Sequence, residues 1–344
     1  MASALVVLVL VVALALAFDY VNGFHDTANA VATVVSTGVL PGRTAVLLAA
    51  VCNFVGAFLS LKVAATIGKD IADPRTVTQV VVVGALVGAI AWNLFTWYYG
   101  IPSSSSHALV GGIVGAVWCH RTLGGAPAGD ALWTLMTSEG VVKTLKALLL
   151  SPLAGMLGGF TLMVILTWLV LRLRPTTVNK GFRVLQLGSA GFMAIAHGSN
   201  DAQKAMGIIF MALGAYAAAE GQTAPKDVPD WVVLSCATAM ALGTAAGGWR
   251  IMKTMGQRII KLRPINGFAA ETAAAATILV ATHLGTPVST THVIASSIMG
   301  VGASRRVSAV RWGVARSMVI AWVLTMPVSA LVAAVMYALL RLVL

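Results

Sequence analysis

Apolar stretches long enough to cross a lipid bilayer recur along almost the whole chain of 344 residues. The hydrocarbon core of a bilayer is about 30 Å thick, so a helix that crosses it needs about 20 mostly apolar residues. Only 10% of the residues are charged, whereas about 25% are charged in a soluble domain. The sequence therefore predicts an all-α, polytopic integral membrane protein with one membrane domain. The clearest candidate spans are Ala2–Phe18, Ala45–Ile67, Val77–Trp97, Leu150–Leu171, Val232–Gly248 and Val319–Leu340.

The first apolar segment differs from a signal peptide, which begins with basic residues. The first Lys or Arg of the chain is Arg43, so we interpret residues 1–40 as a retained membrane segment. We expect a multi-pass protein of the cytoplasmic membrane, surrounded by lipid.

The net charge of +12 could indicate a nucleic-acid partner. Most of the excess, however, lies in short loops between apolar stretches, at 172–183, 250–263 and 303–316. Short basic loops are typical of the cytoplasmic side of membrane proteins. We therefore expect no nucleic-acid partner.

Two pairs of similar motifs indicate an internal duplication. The first pair is NGFHDTANA (22–30) and HGSNDAQKA (197–205), separated by 175 residues. The second pair is IPSSSSHALVGGIVG (101–115) and TPVSTTHVIASSIMG (286–300), separated by 185 residues. Two motifs in the same order at similar separations point to a repeat. The predicted organisation is a first repeat at 1–171, a cytoplasmic linker at 172–182 and a second repeat at 183–344.

Equivalent loops of the two halves carry different charge. The loop at 250–263 is strongly basic, whereas acidic residues offset the basic ones in its counterpart at 67–78. The loop at 303–316 is also basic, and its counterpart at 118–131 is nearly neutral. Because basic loops favour the cytoplasmic side, we expect inverted-topology repeats with both termini outside.

The lengths of several segments predict irregular spans. Segments 1–40 and 183–219 are each too long for one straight span at about 1.5 Å per residue, so we expect broken or tilted helices, or re-entrant pieces. Between the basic loops at 250–263 and 303–316 the chain enters and leaves on one side. It does so as a re-entrant hairpin with its tip near 285–287, or as two short spans.

Polar residues in the spans mark a candidate pathway, because such residues are costly in lipid. Asp26 and Asp201 occupy matched positions of the first motif pair. Interhelical hydrogen bonding is the alternative reading, but two matched aspartates favour a site for a coupling cation or proton. A buried carboxylate at Glu271 must be protonated, paired or cation-bound. The candidate coupling residues are Asp26, Asn29, Asn200, Asp201 and Glu271, and the supporting candidates are Asp19, Asn53, His107, Gln203, Lys204 and His292.

The second motif pair predicts an anion site. Pro102 and Pro287 suit the start of a helix, where the missing N–H is not needed. A helix N-terminus offers free N–H groups and partial positive charge, and hydroxyl groups add donors for a tetrahedral oxyanion. Ordinary helix capping is the alternative for any single serine. The candidate anion-binding residues are Ser104, Ser105, Ser106, Ser289, Thr290 and Thr291.

The motifs GFHDTANAVAT, AHGSNDAQKAMG, GIPSSSSH and GTPVSTTHV resemble the signatures of the inorganic phosphate transporter (PiT) family, and within it the bacterial low-affinity Pit type. The resemblance runs from about Asp19 to Arg316. It implies a secondary transporter, often a homodimer, that carries inorganic phosphate with a coupling cation and holds no tightly bound cofactor. The Pit type implies protons, with phosphate often moving as a complex with Mg²⁺ or another divalent metal whose ligands the sequence does not define.

Other functions remain open at this stage. A sodium-coupled phosphate symporter and a sulfate permease share the overall pattern of motifs. An ion channel would need a continuous polar lining rather than paired sites. A membrane enzyme is disfavoured because Asp26, Ser104 and His107 recur as Asp201, Ser289 and His292, and an enzyme rarely needs two copies of its site.

Overall fold

The computed structural model describes residues 4–69 and 77–342, and within these ranges the regular secondary structure is helical. The helices of the first half are α1 (Ala4–Ser36), α2 (Gly42–Gly56), α3 (Lys62–Lys69), α4 (Gln79–Tyr99), α5 (Ser105–Leu123), α6 (Ala128–Met136) and α7 (Glu139–Leu169). Those of the second half are α8 (Pro175–Ala219), α9 (Asp230–Ala246), α10 (Trp249–Lys253), α11 (Pro264–His283), α12 (Thr290–Ala303) and α13 (Trp312–Leu340). A π-helical turn, Thr254–Arg258, continues α10, and a 3-10 turn, Val307–Ala309, precedes α13.

Six helices of the described chain are long and apolar enough to cross a membrane, namely α1, α4, α7, α8, α11 and α13. The pair formed by α9 and the segment 249–258, bent by 60° at its break, makes a seventh candidate span. Large apolar side chains cover much of the outer surface, as in a protein solvated by lipid. The chain is therefore an all-helical, multi-pass cell-membrane protein, as the sequence predicts.

The helices of the two halves follow one another in the same order. Each half has a long helix with a polar motif (α1, α8), an interrupted segment (α2–α3, α9–α10), a helical hairpin (α4–α5, α11–α12) and a long last helix (α7, α13). Both last helices contain an internal proline, Pro152 and Pro327. This order is consistent with the predicted repeat. The inverted orientation stays a prediction, and Asp70 and Asp73, on which its charge argument partly depends, lie outside the described residues.

Small residues let the two halves interlock. Gly115 of α5 lies against the carbonyl of Ala330 in α13, and Gly300 of α12 lies against the carbonyl of Met156 in α7. Each hairpin therefore packs against the last helix of the other half. A side chain at either glycine would overlap backbone atoms, which is why glycine suits these crossings.

The long segments differ from the sequence expectation in one respect. The helix α1 is continuous over 33 residues and α8 over 45 residues, about 50 and 68 Å at 1.5 Å per residue. The breaks lie instead in α2–α3, in α9–α10 and at the hairpin tips. The polar motifs lie within continuous helix in α1 and α8, and several of their side chains hydrogen-bond to neighbouring helices.

The helix α12 has 14 residues, about 21 Å, which is shorter than the bilayer core. This length favours the re-entrant hairpin over two full spans. The expected homodimer concerns a second chain and stays a prediction.

Candidate substrate and cation site

The two hairpin tips have the same local structure. Gly100 and Gly285 end the first arms with φ of 65° and 66°, in the left-handed region that glycine adopts most readily. A proline follows each of them, and α5 and α12 then begin at Ser105 and Thr290. The N-termini of both second arms are buried in the protein.

Ser104 and Ser289 cap these helices. The Ser104 hydroxyl accepts from the backbone N–H of His107 at 3.1 Å, and the Ser289 hydroxyl accepts from that of His292 at 3.2 Å. These are the contacts expected of an N-cap. The hydroxyl of Ser106 donates to the carbonyl of Val288 at 2.8 Å and thus joins one tip to the other.

Asp26 of α1 lies against the tip of α5. The Ser105 hydroxyl donates to Asp26 Oδ2 at 3.0 Å, and the Thr291 hydroxyl from the opposite tip donates to Oδ1 at 3.4 Å. His25 Nδ1 lies 2.6 Å from Asp26 Oδ1, and its Nε2 lies 3.0 Å from the hydroxyl of Thr96. The carboxylate therefore contacts both hairpins and an imidazole.

Asp201 of α8 lies against the tip of α12 in the corresponding way. The Thr290 hydroxyl donates to Asp201 Oδ2 at 3.3 Å. Lys204 Nζ lies 2.7 Å from Asp201 Oδ1, and His197 Nε2 lies 3.5 Å from Oδ2. Lys204 and Asp201 form an ion pair with no exposed surface.

Each motif helix also reaches the tip of the other half. Asn29 Nδ2 donates to the hydroxyls of Thr290 and Thr291 at 3.3 and 2.9 Å. Lys204 Nζ donates to the hydroxyl of Ser105 at 3.4 Å. The structure thus brings Asp26, Asn29, Asp201, Lys204 and the two hydroxyl-bearing tips into one buried cluster.

This cluster contains atoms suited to a cation. One oxygen of Asp26, one oxygen of Asp201 and a ring nitrogen of His197 lie within 4.8 Å of one another. Carboxylate oxygen and imidazole nitrogen are ligands that divalent metals accept.

Several buried polar atoms near the tips have no hydrogen-bond partner among the described residues. They are Asn29 Oδ1, Asn200 Oδ1, His107 Nδ1 and His292 Nε2. The rings of His107 and His292 lie 4.5 Å apart between the two tips. Because unpaired buried polar groups are costly, they mark a place where a polar guest would be stabilised.

The other predicted site residues of α1, α2 and α8 have different surroundings. Asn53 donates to the hydroxyl of Thr244 at 2.9 Å and lies 3.2 Å from His197 Nδ1, so it orients that imidazole. Gln203 Oε1 accepts from two N–H groups in the first turn of α3, those of Val63 and Ala64, at 2.9 and 3.1 Å. Asn200, predicted as a coupling residue, donates to the hydroxyl of Thr282 at 2.9 Å, and Asp19 is buried with both oxygens unpartnered among the described residues.

Glu271 lies in a separate polar cluster. Its carboxylate accepts from the hydroxyl of Thr33 at 2.5 Å, from Gln186 Nε2 at 3.0 Å and from the hydroxyl of Ser189. Among the described residues, no hydrogen bond joins Glu271 to Asp26 or Asp201. Thr33 follows Asn29 by one turn of α1, so Glu271 lies along the same helix face, displaced from the tips.

Sequence reasoning missed His25, Gln186 and Ser189. His25 stands directly beside Asp26, and its contact with the carboxylate could have been suspected from that adjacency. Gln186 and Ser189 are three residues apart within an apolar span, the spacing of one helical face.

Basic residues surround cavities elsewhere in the molecule. A cavity of about 580 Å³ is lined by Lys261, Arg263, Arg305, Arg306 and Arg311, and it adjoins one of about 600 Å³ whose apolar lining includes Met163, Val170 and Leu173. These residues belong to the basic loops already attributed to the cytoplasmic side. The cavity that they line is the alternative to the hairpin tips as a binding site for an anion.

Comparison with known proteins agrees with this architecture. A model of the phosphate transporter family matches residues 22–333. The probable low-affinity inorganic phosphate transporter of Bacillus subtilis is 51% identical, covering 98% of both chains. That of Rhizobium meliloti is 50% identical over 96% of this chain and 95% of that relative, and that of Mycobacterium tuberculosis is 48% identical over 97% and 78%.

A solved structure of a sodium-dependent phosphate transporter has the same fold, with a TM-score of 0.86 at 24% identity over 98% of this chain and 100% of that chain. The relatives are named as transporters, which agrees with the expectation that the protein is not an enzyme. On the extent of these matches, the chain belongs to the phosphate transporter family.

Proposed function

We propose that this protein imports inorganic phosphate across the cell membrane by symport with a cation, and that the favoured cation is the proton. The observation that carries the proposal is the meeting of two hydroxyl-bearing helix N-termini at a pair of buried aspartates. A single capped helix would not need this arrangement, whereas a tetrahedral oxyanion needs donors on more than one side.

In this proposal the anion binds between the tips of α5 and α12. Ser105 and Thr290 supply hydroxyl donors, and the helix N-termini supply N–H groups and partial positive charge. Lys204 adds a full positive charge 3.4 Å from the Ser105 hydroxyl. Ser104 and Ser289 act through the caps that set the direction of each helix.

The same geometry calls for a cation. Asp26 and Asp201 stand beside the proposed anion, and like charges repel strongly where water is excluded. Lys204 neutralises one of the two carboxylates. A proton, a divalent metal ion or a sodium ion must neutralise the other carboxylate before a phosphate dianion can enter.

One contact favours the proton as the coupling cation, and a second arrangement suits a divalent metal in addition. His25 lies 2.6 Å from Asp26, and histidine gains and loses protons near neutral pH more readily than other side chains. The cluster of Asp26, His197 and Asp201 suits a divalent metal that travels with phosphate. Sodium coupling, as in the name of the solved relative, is the alternative.

The buried state of the cluster also bears on how transport proceeds. The side chains of Asp26, Asp201, Ser105 and Thr290 are at most 2% exposed. An anion can reach them only when the surrounding helices move apart. Such gating around a central site is the general mode of secondary transporters built from repeats.

Uptake of radiolabelled phosphate into proteoliposomes tests the proposal. We expect accumulation when the outside is acidic in sodium-free medium, stimulation by Mg²⁺, and collapse on adding a protonophore. Accumulation that needs sodium and ignores the pH gradient would contradict proton coupling. Stronger competition by sulfate than by unlabelled phosphate would contradict the assignment of phosphate as the substrate.

A further inference from the structure

One of the differences between the two halves of the site lies at a position that contacts the opposite tip in both halves. At the separation of 175 residues, Asn29 of α1 corresponds to Lys204 of α8. Their contacts correspond as well, because Asn29 Nδ2 donates to Thr290 at 3.3 Å and Lys204 Nζ donates to Ser105 at 3.4 Å. We call Asp26 with Asn29 the first half-site, and Asp201 with Lys204 the second half-site.

Helix packing alone does not explain the lysine. Lys204 is among the largest fully buried side chains of the described chain. A buried ammonium loses its hydration and is tolerated only when a partner compensates for the loss. Asn29 makes the equivalent contact in the first half-site without that cost, so an amide would suffice to join helix and tip.

The charge balance of the half-sites differs accordingly. Asp201 has the Lys204 ammonium at 2.7 Å. Asp26 has the imidazole of His25 and two hydroxyls as its described partners, none of which carries a fixed positive charge. In addition, Asn29 Oδ1 is buried without a hydrogen-bond partner among the described residues. The first half-site therefore offers a carboxylate and a free amide oxygen to a mobile cation.

We infer that Lys204 is a tethered cation that takes the place of a mobile coupling cation in the second half-site. Only the first half-site then exchanges a coupling cation during transport, and a divalent metal that travels with phosphate counts as cargo. The inference rests on the proposed function and deepens it, because it sets the number of mobile coupling cations per phosphate. Two matching half-sites would need two such cations, whereas a site with Lys204 needs one.

The substitution Lys204→Asn tests this by giving the second half-site the residue of the first. The variant should acquire a site for a monovalent cation formed by carboxylate and amide oxygens. When sodium chloride replaces choline chloride, the melting temperature of the purified variant should rise by several degrees more than that of the wild type. Its phosphate uptake in proteoliposomes should become about tenfold faster with sodium than with choline, the effect of roughly 1.4 kcal/mol of binding free energy.

Two control variants separate this role from that of a structural ion pair. Lys204→Met has similar length but neither charge nor a ligand oxygen, and Lys204→Arg keeps the charge. Both should respond to sodium no more than the wild type does. An equal response of Lys204→Asn and Lys204→Met would overturn the inference.

The reciprocal variant Asn29→Lys keeps the inference testable if Lys204→Asn does not fold. With both half-sites carrying tethered charges, exchange of labelled for unlabelled phosphate should persist while gradient-driven accumulation is lost. Retained accumulation would contradict the inference. Failure of the proposed function can be told apart from failure of this inference. The proposed function fails if the wild type transports no phosphate, whereas the melting comparison measures cation binding without phosphate.

Discussion

At the scale of single residues, the hydroxyl groups of the tips fall into two classes. Ser104 and Ser289 accept from backbone N–H groups of their own helices. Ser105 and Thr290 instead donate to Asp26 and Asp201. A hydroxyl that bonds to a carboxylate can turn to an anion once that carboxylate is protonated, whereas a cap stays engaged with its helix.

This division predicts different effects of serine and threonine substitutions. Ser105→Ala or Thr290→Ala should weaken apparent phosphate affinity about tenfold to hundredfold, since a hydrogen bond to a charged group contributes about 1.5–3 kcal/mol. The control Ser104→Ala should mainly lower thermal stability, by about 1 kcal/mol for a lost cap. Concentration-dependent uptake and melting curves measure the two effects. Unchanged affinity in both Ser105→Ala and Thr290→Ala would show that the tips do not bind the anion.

A second prediction concerns the pair of His25 and Asp26. Asp26→Asn and His25→Gln should keep the fold, because the amides can still hydrogen-bond to the tips. Both should lose uptake driven by a pH gradient, since an amide cannot exchange a proton, while exchange of labelled phosphate survives. Asp201→Asn should also stop accumulation, because it leaves the buried Lys204 ammonium without its partner. Normal proton-driven accumulation by Asp26→Asn would contradict proton coupling at this carboxylate.

At the scale of helices, glycines decide how closely the motif helices approach their neighbours. Gly198 of α8 lies beside Asn53 in α2, and a Cβ there would come within 2.6 Å of the Asn53 Cα. Gly214 lies in the same helix, and none of the described residues has a neighbouring heavy atom within 4 Å of a Cβ placed on it. These two positions form a matched pair.

We expect Gly198→Ala to destabilise the protein by about 1–3 kcal/mol, because the added methyl group forces α2 and α8 apart. Gly214→Ala should be neutral or stabilising by about 0.5–1 kcal/mol, the usual helical preference for alanine. Thermal unfolding in detergent measures both. Equal stability of the two variants would contradict the close contact between α2 and α8.

The helical spans and the matched tips could be predicted from the sequence because they depend on local patterns, such as apolar length and the Pro-Ser motif. The continuity of α1 and α8 could not. A polar residue such as Asp26 or Asn29 does not tell whether its span breaks or whether a distant helix supplies partners. The contact of Asn29 with Thr290 and Thr291 depends on packing between residues more than 250 positions apart, which one sequence does not reveal.

At the scale of the whole molecule, the recurring order of helices and the reciprocal packing of α5 on α13 and α12 on α7 are consistent with two repeats. Whether the repeats are inverted depends on the sides at which equivalent loops emerge. The loop residues Asp73 and Arg305 belong to the first and second halves, and the charge bias predicts that they lie on opposite sides of the membrane.

Cysteine labelling tests this topology after Cys52, Cys119 and Cys236 are replaced by alanine. In intact cells, a membrane-impermeant maleimide should label Asp73→Cys. It should label Arg305→Cys only after permeabilisation, because the basic loop is expected in the cytoplasm. Labelling of both cysteine variants from the same side of the membrane would contradict the inverted repeat.

The proposed transport depends above all on binding of the anion between the two hairpin tips. Arsenate has the shape and charge of phosphate, and its arsenic atom can be located by anomalous X-ray scattering from crystals of the protein. We expect a peak between the N-termini of α5 and α12, within contact distance of Ser105, Thr290 and Lys204. A peak confined to the basic cavity of Arg263 and Arg305, with none at the tips, would contradict it.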